Sequence, residues 1–391
     1  MGIIRYAAVA LLLGAEPGWA TPYRPADDGA VLERLPVVVD ASAFELRRLR
    51  ARAAADPADP AAALALADRY LALGQRTQDP RYVGYARAAV ERWWADPAAP
   101  ADLLVLRAAI EQNRHEFDAA LANLDRVLAL DAGNPRAWAL RATILLVQGK
   151  PQESMASCAW LERTSASLAG TICQAAAMAR LGQARAAMAL LGTTLERSPG
   201  LDPALEAWAR TELAELALLL GDAGAAEREL RAALRAEPGD AFTINALADL
   251  LLDQGRPEKA LGLVRDDLRH DGKLLRSAIA LKALSLPAWR GQAAELEARF
   301  AAATARGDAL HLREEARFRL AVTEEPVLAL ELARENWRSQ REPWDARVLL
   351  ESAVAAGRPA EAGAVIAWLD ETGFVDPRLE RALKCLQGGE G

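Results

Sequence analysis

The stretch Ala101–Asn134, ADLLVLRAAIEQNRHEFDAALANLDRVLALDAGN, decides the architecture of this chain. It holds two runs with apolar residues at helical spacing, Leu103–Gln112 and Phe117–Leu130, on either side of the polar turn Asn113–Glu116. Pro135 opens the next unit without a gap, and the same pattern starts again. A two-helix unit of this kind cannot bury its apolar face alone, so it must stack on copies of itself.

Working outward, the repeat can be read as columns. Small residues in the first helix of successive units are Ala108, Ala142, Ala175, Ala214 and Ala248, at steps of 34, 33, 39 and 34. A turn column, His115, Gly149, Gly182, Gly221 and Gly255, keeps those steps, as does a second-helix column of Ala120, Ser154, Ala187, Ala226 and Ala260. Gly357 and Ala362 extend the last two columns, each 102 residues further on. Small residues belong where two helix axes approach closely. Glycine belongs where a helix ends with φ > 0. Pro199 and Pro238 follow second helices, where a helix should stop.

The pattern resembles the tetratricopeptide repeat family. The resemblance rests on a bulky residue early in the first helix (Leu104, Trp138), the small residue Ala108, Phe117 at the turn, Ala120 in the second helix and Asp131 near its end. It covers residues 101–274 best, as five repeats. It implies an all-α, right-handed solenoid of stacked antiparallel helix pairs with a concave groove lined by first helices. Residues 59–100 read as an atypical first pair, with a long turn at Gln75–Tyr82 and a second helix near Tyr85–Trp94. Residues 275–391 read as divergent pairs followed by a capping helix, Pro377–Leu386. Five extra residues near Gly200–Glu206 lengthen a loop or a helix start.

Composition agrees with helix and excludes some functions. Of 391 residues, 52% are hydrophobic but only 5% aromatic, so alanine and leucine dominate. A net charge of −7 with no basic block argues against nucleic acid as a partner. Residues 1–20 read as a secretory signal: Arg5, the apolar run Tyr6–Gly14, and small residues Gly18 and Ala20 before a cut. The run is too short to anchor in a bilayer. The expected product is exported, to the periplasm of a bacterium, with no membrane insertion after cleavage. Residues 21–58 read as an irregular arm plus a short helix, Ala43–Ala55.

The cysteines are Cys158, Cys173 and Cys385. The repeat register puts Cys158 in a second helix and Cys173 in the first helix of the next unit, which are neighbours in the stack. A structural disulfide between them is expected in an oxidising compartment. No metal-ligand spacing, phosphate loop or nucleophile elbow occurs, so no catalytic, cofactor or metal residues are expected. His115, His270 and His311 read as surface or turn residues, and the pair Glu314-Glu315 as part of a solvated, salt-bridged face. Candidate binding surfaces outside the groove are Arg81 and Tyr82 in the long turn, and Trp337 and Trp344 in the dense stretch Glu335–Arg347.

The register also sketches the groove. It expects Val105, Ala109, Gln112, Ala139, Thr143, Leu146, Ile172, Ala176, Trp208, Thr211, Glu215, Phe242, Asn245 and Asp249 on the concave face. That set is fairly apolar with scattered acids and lacks a basic cluster, which suits an amphipathic helix or an extended apolar peptide. The reading is a non-catalytic scaffold or assembly factor that binds a protein or peptide segment. Two alternatives stay open: a hydrolase or lyase acting on cell-envelope polymer, and a self-associating structural spacer. A buried glutamate in a pocket, away from arginine, would favour the hydrolase.

Overall fold

A computed structural model of the chain describes residues 41–388, apart from 78, 97, 166–167 and 306–310. The signal and arm segments of the sequence reading, up to residue 40, lie outside the described residues. The chain divides into two compact units, residues 1–45 and 46–391. In the first, residues 41–45 are helical, the opening of α1 (Ala41–Ala55).

The second unit is a succession of helix pairs. The first pair is α2 (Pro60–Thr77) and α3 (Arg81–Ala89). Five regular pairs come next: α4 (Ala101–Asn113) with α5 (Phe117–Leu130), α6 (Pro135–Val147) with α7 (Pro151–Ser165), and α8 (Leu168–Arg180) with α9 (Ala184–Glu196). The series continues through α10 (Pro203–Leu219) with α11 (Ala223–Ala236), and α12 (Ala241–Asp253) with α13 (Pro257–Val264). The divergent part holds α14 (Asp271–Ala283), α15 (Trp289–Ala305), α16 (Leu312–Phe318), α17 (Pro326–Trp337), α18 (Pro343–Ala355), α19 (Gly363–Thr372) and α20 (Glu380–Gly388). The described residues thus form an all-α solenoid of stacked antiparallel pairs.

Local chemistry explains the regularity. Asn134, Asp202, Asp222 and Asp240 cap the helices that follow them, each side chain accepting from a backbone N–H of the first turn. Every first helix from α4 to α12 ends on a left-handed residue, with φ of 60° at His115 and 66–77° at Gly149, Gly182, Gly221 and Gly255. The next residue donates back across the turn, as Lys150 N–H does to the Leu145 carbonyl (2.8 Å) and Asp222 N–H to Ala217 (2.8 Å). This is the Schellman end that glycine favours. His115 adopts it despite its Cβ, with its ring stacked on Phe117. Both small-residue columns are buried, from Ala108 and Ala120 through Ala248 and Ala260.

Two local readings differ from the structure. The helices take up most of Gln75–Tyr82: α2 runs on to Thr77, and α3 starts at Arg81 because Asp79 accepts the Arg81 N–H (3.0 Å) after the preset φ of Pro80. α3 then stops at Ala89, and a 3₁₀ turn, Glu91–Trp93, follows. The extra residues near Gly200–Glu206, read as lengthening a loop or a helix start, lengthen the helix start: α10 has 17 residues where the other first helices of the regular pairs have 13.

The C-terminal part does not simply continue the stack. It returns across the far ends of the earlier first helices. Gln340 meets the His115 ring (3.3 Å), and the Arg341 N–H donates to the Val147 carbonyl (2.7 Å). A Cβ added to Gly182 would collide with the Gly373 carbonyl oxygen. Arg378 pairs with Glu215 (2.5 Å), and Arg347 forks onto Asp253 (2.7 and 2.8 Å). One apolar cluster joins Ile172, Leu191 and Leu216 of the regular pairs to Trp337, Leu350, Trp368 and Leu386. The return is therefore part of the core and closes one side of the array.

A charged cavity on the first-helix face

Between the regular first helices and this return lies a cavity of about 950 Å³. Helical spacing builds its wall. α10 presents Trp208, Thr211, Glu212 and Glu215, and α12 presents Phe242, Asn245, Ala246 and Asp249, each set at i, i+3, i+4 and i+7. α6 adds Ala139, Thr143 and Leu146; α8 adds Cys173, Ala176 and Arg180. The walls of α10 and α12 match at three of these four positions, in three tiers: aromatic (Trp208, Phe242), polar (Thr211, Asn245) and acidic (Glu215, Asp249), and differ at the fourth, Glu212 against Ala246. The aromatic tier is solvent-facing, with Trp208 46% and Phe242 58% exposed. Below it the Thr211 and Thr243 hydroxyls join the two helices (3.0 Å).

Each carboxylate of the acidic tier is held by arginine from the C-terminal side. Asp249, almost wholly buried, sits between Arg276 (2.6 Å) and Arg317 (2.7 Å). Burial alone would raise its pKa, but the two guanidiniums outweigh that and hold it below the usual range. Glu215 is likewise lowered, its burial outweighed by Arg378. Removing one partner from such a buried pair strands the other charge, which costs more than the pair contributes.

Glu212, one residue from the polar tier, behaves in the opposite way. Burial pushes its carboxyl up to about 7, opposed by the nearby Arg180 and reinforced by Glu215. Its Oε1 is buried without a hydrogen-bond partner, as are Arg180 Nη1 and Asn245 Oδ1. Sequence reasoning passed over both Glu212 and Arg180. The signal was present, since Glu212 is i+4 from Trp208 and Arg180 is i+4 from Ala176 on the same faces.

Of the residues expected in the groove, Ala139, Thr143, Leu146, Ala176, Trp208, Thr211, Glu215, Phe242, Asn245 and Asp249 line the cavity. Val105 and Ile172 do not: both are core residues. Val105 is packed in the cluster of Leu66 and Tyr70, and Ile172 is covered by the C-terminal return. Ala109 and Gln112 are half-buried and also outside the lining. The expected lack of basic residues is corrected as well. Arg276, Arg313 and Arg317 enter from α14 and α16, which the repeat register did not reach.

The remaining candidates separate. Arg81 lines the cavity and pairs with Asp79 (2.6 Å), while Tyr82 joins an aromatic group with Tyr70 and Tyr85. Trp337 is buried edge-on against Trp368, so it is a core residue and not a binding surface. Trp344 lines the cavity between the guanidiniums of Arg317 (4.4 Å) and Arg347 (4.6 Å). His115, His270 and His311, read as surface or turn residues, stand in the turns between helices and also line the cavity. The Glu314-Glu315 pair is split: Glu314 faces the cavity beside Arg313 (3.3 Å), and Glu315 pairs with Arg319 (3.2 Å). Among the described residues, no group of three or more His, Cys, Asp or Glu could hold a metal ion.

Cys158 and Cys173 are joined by a disulfide that ties α7 to α8 beside the cavity wall. Cys385 is a free, exposed thiol. Among the described residues, no helix is long and apolar enough to cross a membrane.

The described chain is an all-α solenoid of stacked antiparallel helix pairs. No family model and no curated protein matches it. Solved structures do. One is a thermophilic TPR protein of Thermus thermophilus, 24% identical over 48% of this chain and 100% of that one, with a TM-score of 0.41. Another is PilW, a type IV pilus biogenesis factor, 20% identical over 51% of this chain and 93% of that one, TM-score 0.41. Yeast Tom70 is 13% identical over 89% of this chain and 85% of that one, TM-score 0.42. In this helix-pair array the first-helix face forms the wall of a cavity closed on one side by the chain's own C-terminal part.

Proposed function

We propose that this protein is an exported, non-catalytic binding scaffold that receives a protein or peptide segment against the first-helix face. The observation that carries this reading is the aromatic tier. Trp208 and Phe242 stand exposed on adjacent helices at the cavity, above polar side chains able to orient a guest. Apolar surface around a few convergent polar groups is what a recognition site requires. The disulfide and the expected leader support an oxidising location.

A photo-crosslinking amino acid placed at Trp208 or Phe242 tests this. Each should trap a discrete partner in the native compartment, whereas the same group at the exposed Leu130, on the outer helix α5, should not. Equal labelling from all three positions, or none, would remove the scaffold reading.

One observation favours the hydrolase alternative: Glu212 carries a raised pKa inside a cavity. Against it, Glu212 lies within the field of Arg180, so it is not the isolated acid such chemistry prefers.

A further inference from the structure

Charge in the cavity is almost entirely spent. Of the described carboxylates that line it, all but Glu212 lie within ion-pair distance of an arginine. Of the described lining arginines, all but Arg180 lie within ion-pair distance of a carboxylate. These two remaining groups, from α8 and α10, attract each other yet form no ion pair. Each keeps a buried atom with no hydrogen bond, Nη1 on Arg180 and Oε1 on Glu212. Asn245 Oδ1, on the next first helix, is a third such atom and a second acceptor.

Buried polar atoms left unpaired are uncommon and costly, and each calls for an explanation. Here a cation and an anion face the same space without meeting, and Arg180 is braced over the Phe374 ring (5.7 Å). Trp208 stands four residues from Glu212 on the same face of α10, and Phe242 three residues from Asn245 on that of α12. A guest that satisfies all of these groups has a hydrogen-bond-donating cation for Glu212 and Asn245. It also has an anion for Arg180, and an apolar side chain for the aromatic tier.

We propose that the cavity is a site for a small zwitterion with an apolar side chain, of the size of a free di- or tripeptide, bridging Arg180 and Glu212. The ammonium meets Glu212 Oε1 and Asn245 Oδ1, the carboxylate meets Arg180 Nη1, and the side chain packs on Trp208 and Phe242. The cavity is of the size that small-molecule sites have, roughly 300–1,000 Å³. This proposal deepens the scaffold reading and rests on the cavity being a binding chamber.

Isothermal titration of the full-length mature protein with the dipeptide Leu-Phe, its N-acetyl form and its C-terminal amide tests it. The free dipeptide should bind, and blocking either terminus should weaken binding about ten- to hundredfold, the scale of a lost charge-assisted hydrogen bond. Arg180→Met and Glu212→Gln should each cause a loss of the same size. Glu212→Gln should melt no lower than the parent, because it removes a charge that is costly to bury; loss of binding there is not loss of fold. No binding of the free dipeptide, equal binding of the blocked forms, or unchanged binding by both variants would overturn the proposal. If the dipeptide fails while crosslinking from Trp208 succeeds, the zwitterion falls and the scaffold stands.

Discussion

Arg378 reaches Glu215 at 2.5 Å across 163 residues of chain, and also pairs with Asp376 at 2.7 Å. It thereby ties the turn before α20 to the middle of α10, at the cavity wall. All three side chains are at least three-quarters buried, so none can easily be left alone.

Arg378→Met should therefore destabilise the protein by about 3 kcal/mol, mostly by stranding Glu215 and Asp376. Adding Glu215→Gln should recover part of that loss. Urea denaturation of the single and double variants checks this, and a loss below about 0.5 kcal/mol would mean that the pair is not buried as described.

The glycine turns give a second, paired prediction. Gly182 and Gly221 share a left-handed backbone, with φ of 73° and 77°. A Cβ at Gly221 meets nothing, whereas one at Gly182 collides with the Gly373 carbonyl. Gly221→Ala should cost about 1 kcal/mol, the left-handed penalty alone. Gly182→Ala should cost clearly more, because a backbone carbonyl has no flexible end to move. Equal melting temperatures for the two variants would contradict the closure of the array.

Glu212 predicts a pH dependence. Folding raises its pKa from 4.5 to about 7 through burial, so between those values the folded chain holds a proton that the unfolded chain has lost. Its contribution to stability is greatest below about pH 4.5, falls as pH rises towards 7, and stays unfavourable above. The full effect is on the order of 3 kcal/mol. Other carboxylates slope the opposite way: Glu227 is lowered to about 2 by its hydrogen bonds from Arg256 and Arg231. The comparison is therefore parent against Glu212→Gln. The variant should gain on the parent from pH 5 to 8, and a constant difference across that range would count against a buried glutamate.

Removing the disulfide by Cys158→Ser with Cys173→Ser should cost about 3 kcal/mol, the chain-entropy value for a closed loop of 15 residues. Thermal melts compare the two proteins, and intact mass after alkylation without reductant should show one reactive thiol, Cys385.

Much of this was legible in the sequence because it is local. A small residue at each close helix crossing, a left-handed residue at each turn and an acid or amide at each cap are all set by contacts within about forty residues. That is why the columns through Ala108, Gly149 and Ala187 located the buried, turn and crossing positions. Most of the cavity face was legible for the same reason, since i, i+3 and i+4 spacing carries Trp208 to Thr211 and Phe242 to Asn245. Val105 and Ile172 obey that spacing too. Their burial comes from neighbours, the α2–α3 pair in one case and the C-terminal return in the other.

The sequence by itself determined the helix pairs, their period, their turns and the cysteines placed to bridge two of them. Only the tertiary structure decided that the array folds back on itself. Gln340 lies 225 residues from His115, and Arg347 lies 94 from Asp253. Such meetings depend on the small rotation between successive pairs, summed over the whole stack. No local pattern encodes that sum. It is the sum that seals one side of the groove, brings Arg276 of α14 and Arg317 of α16 onto Asp249 of α12 and Arg378 onto Glu215 of α10, and leaves Arg180 and Glu212 facing one space unpaired.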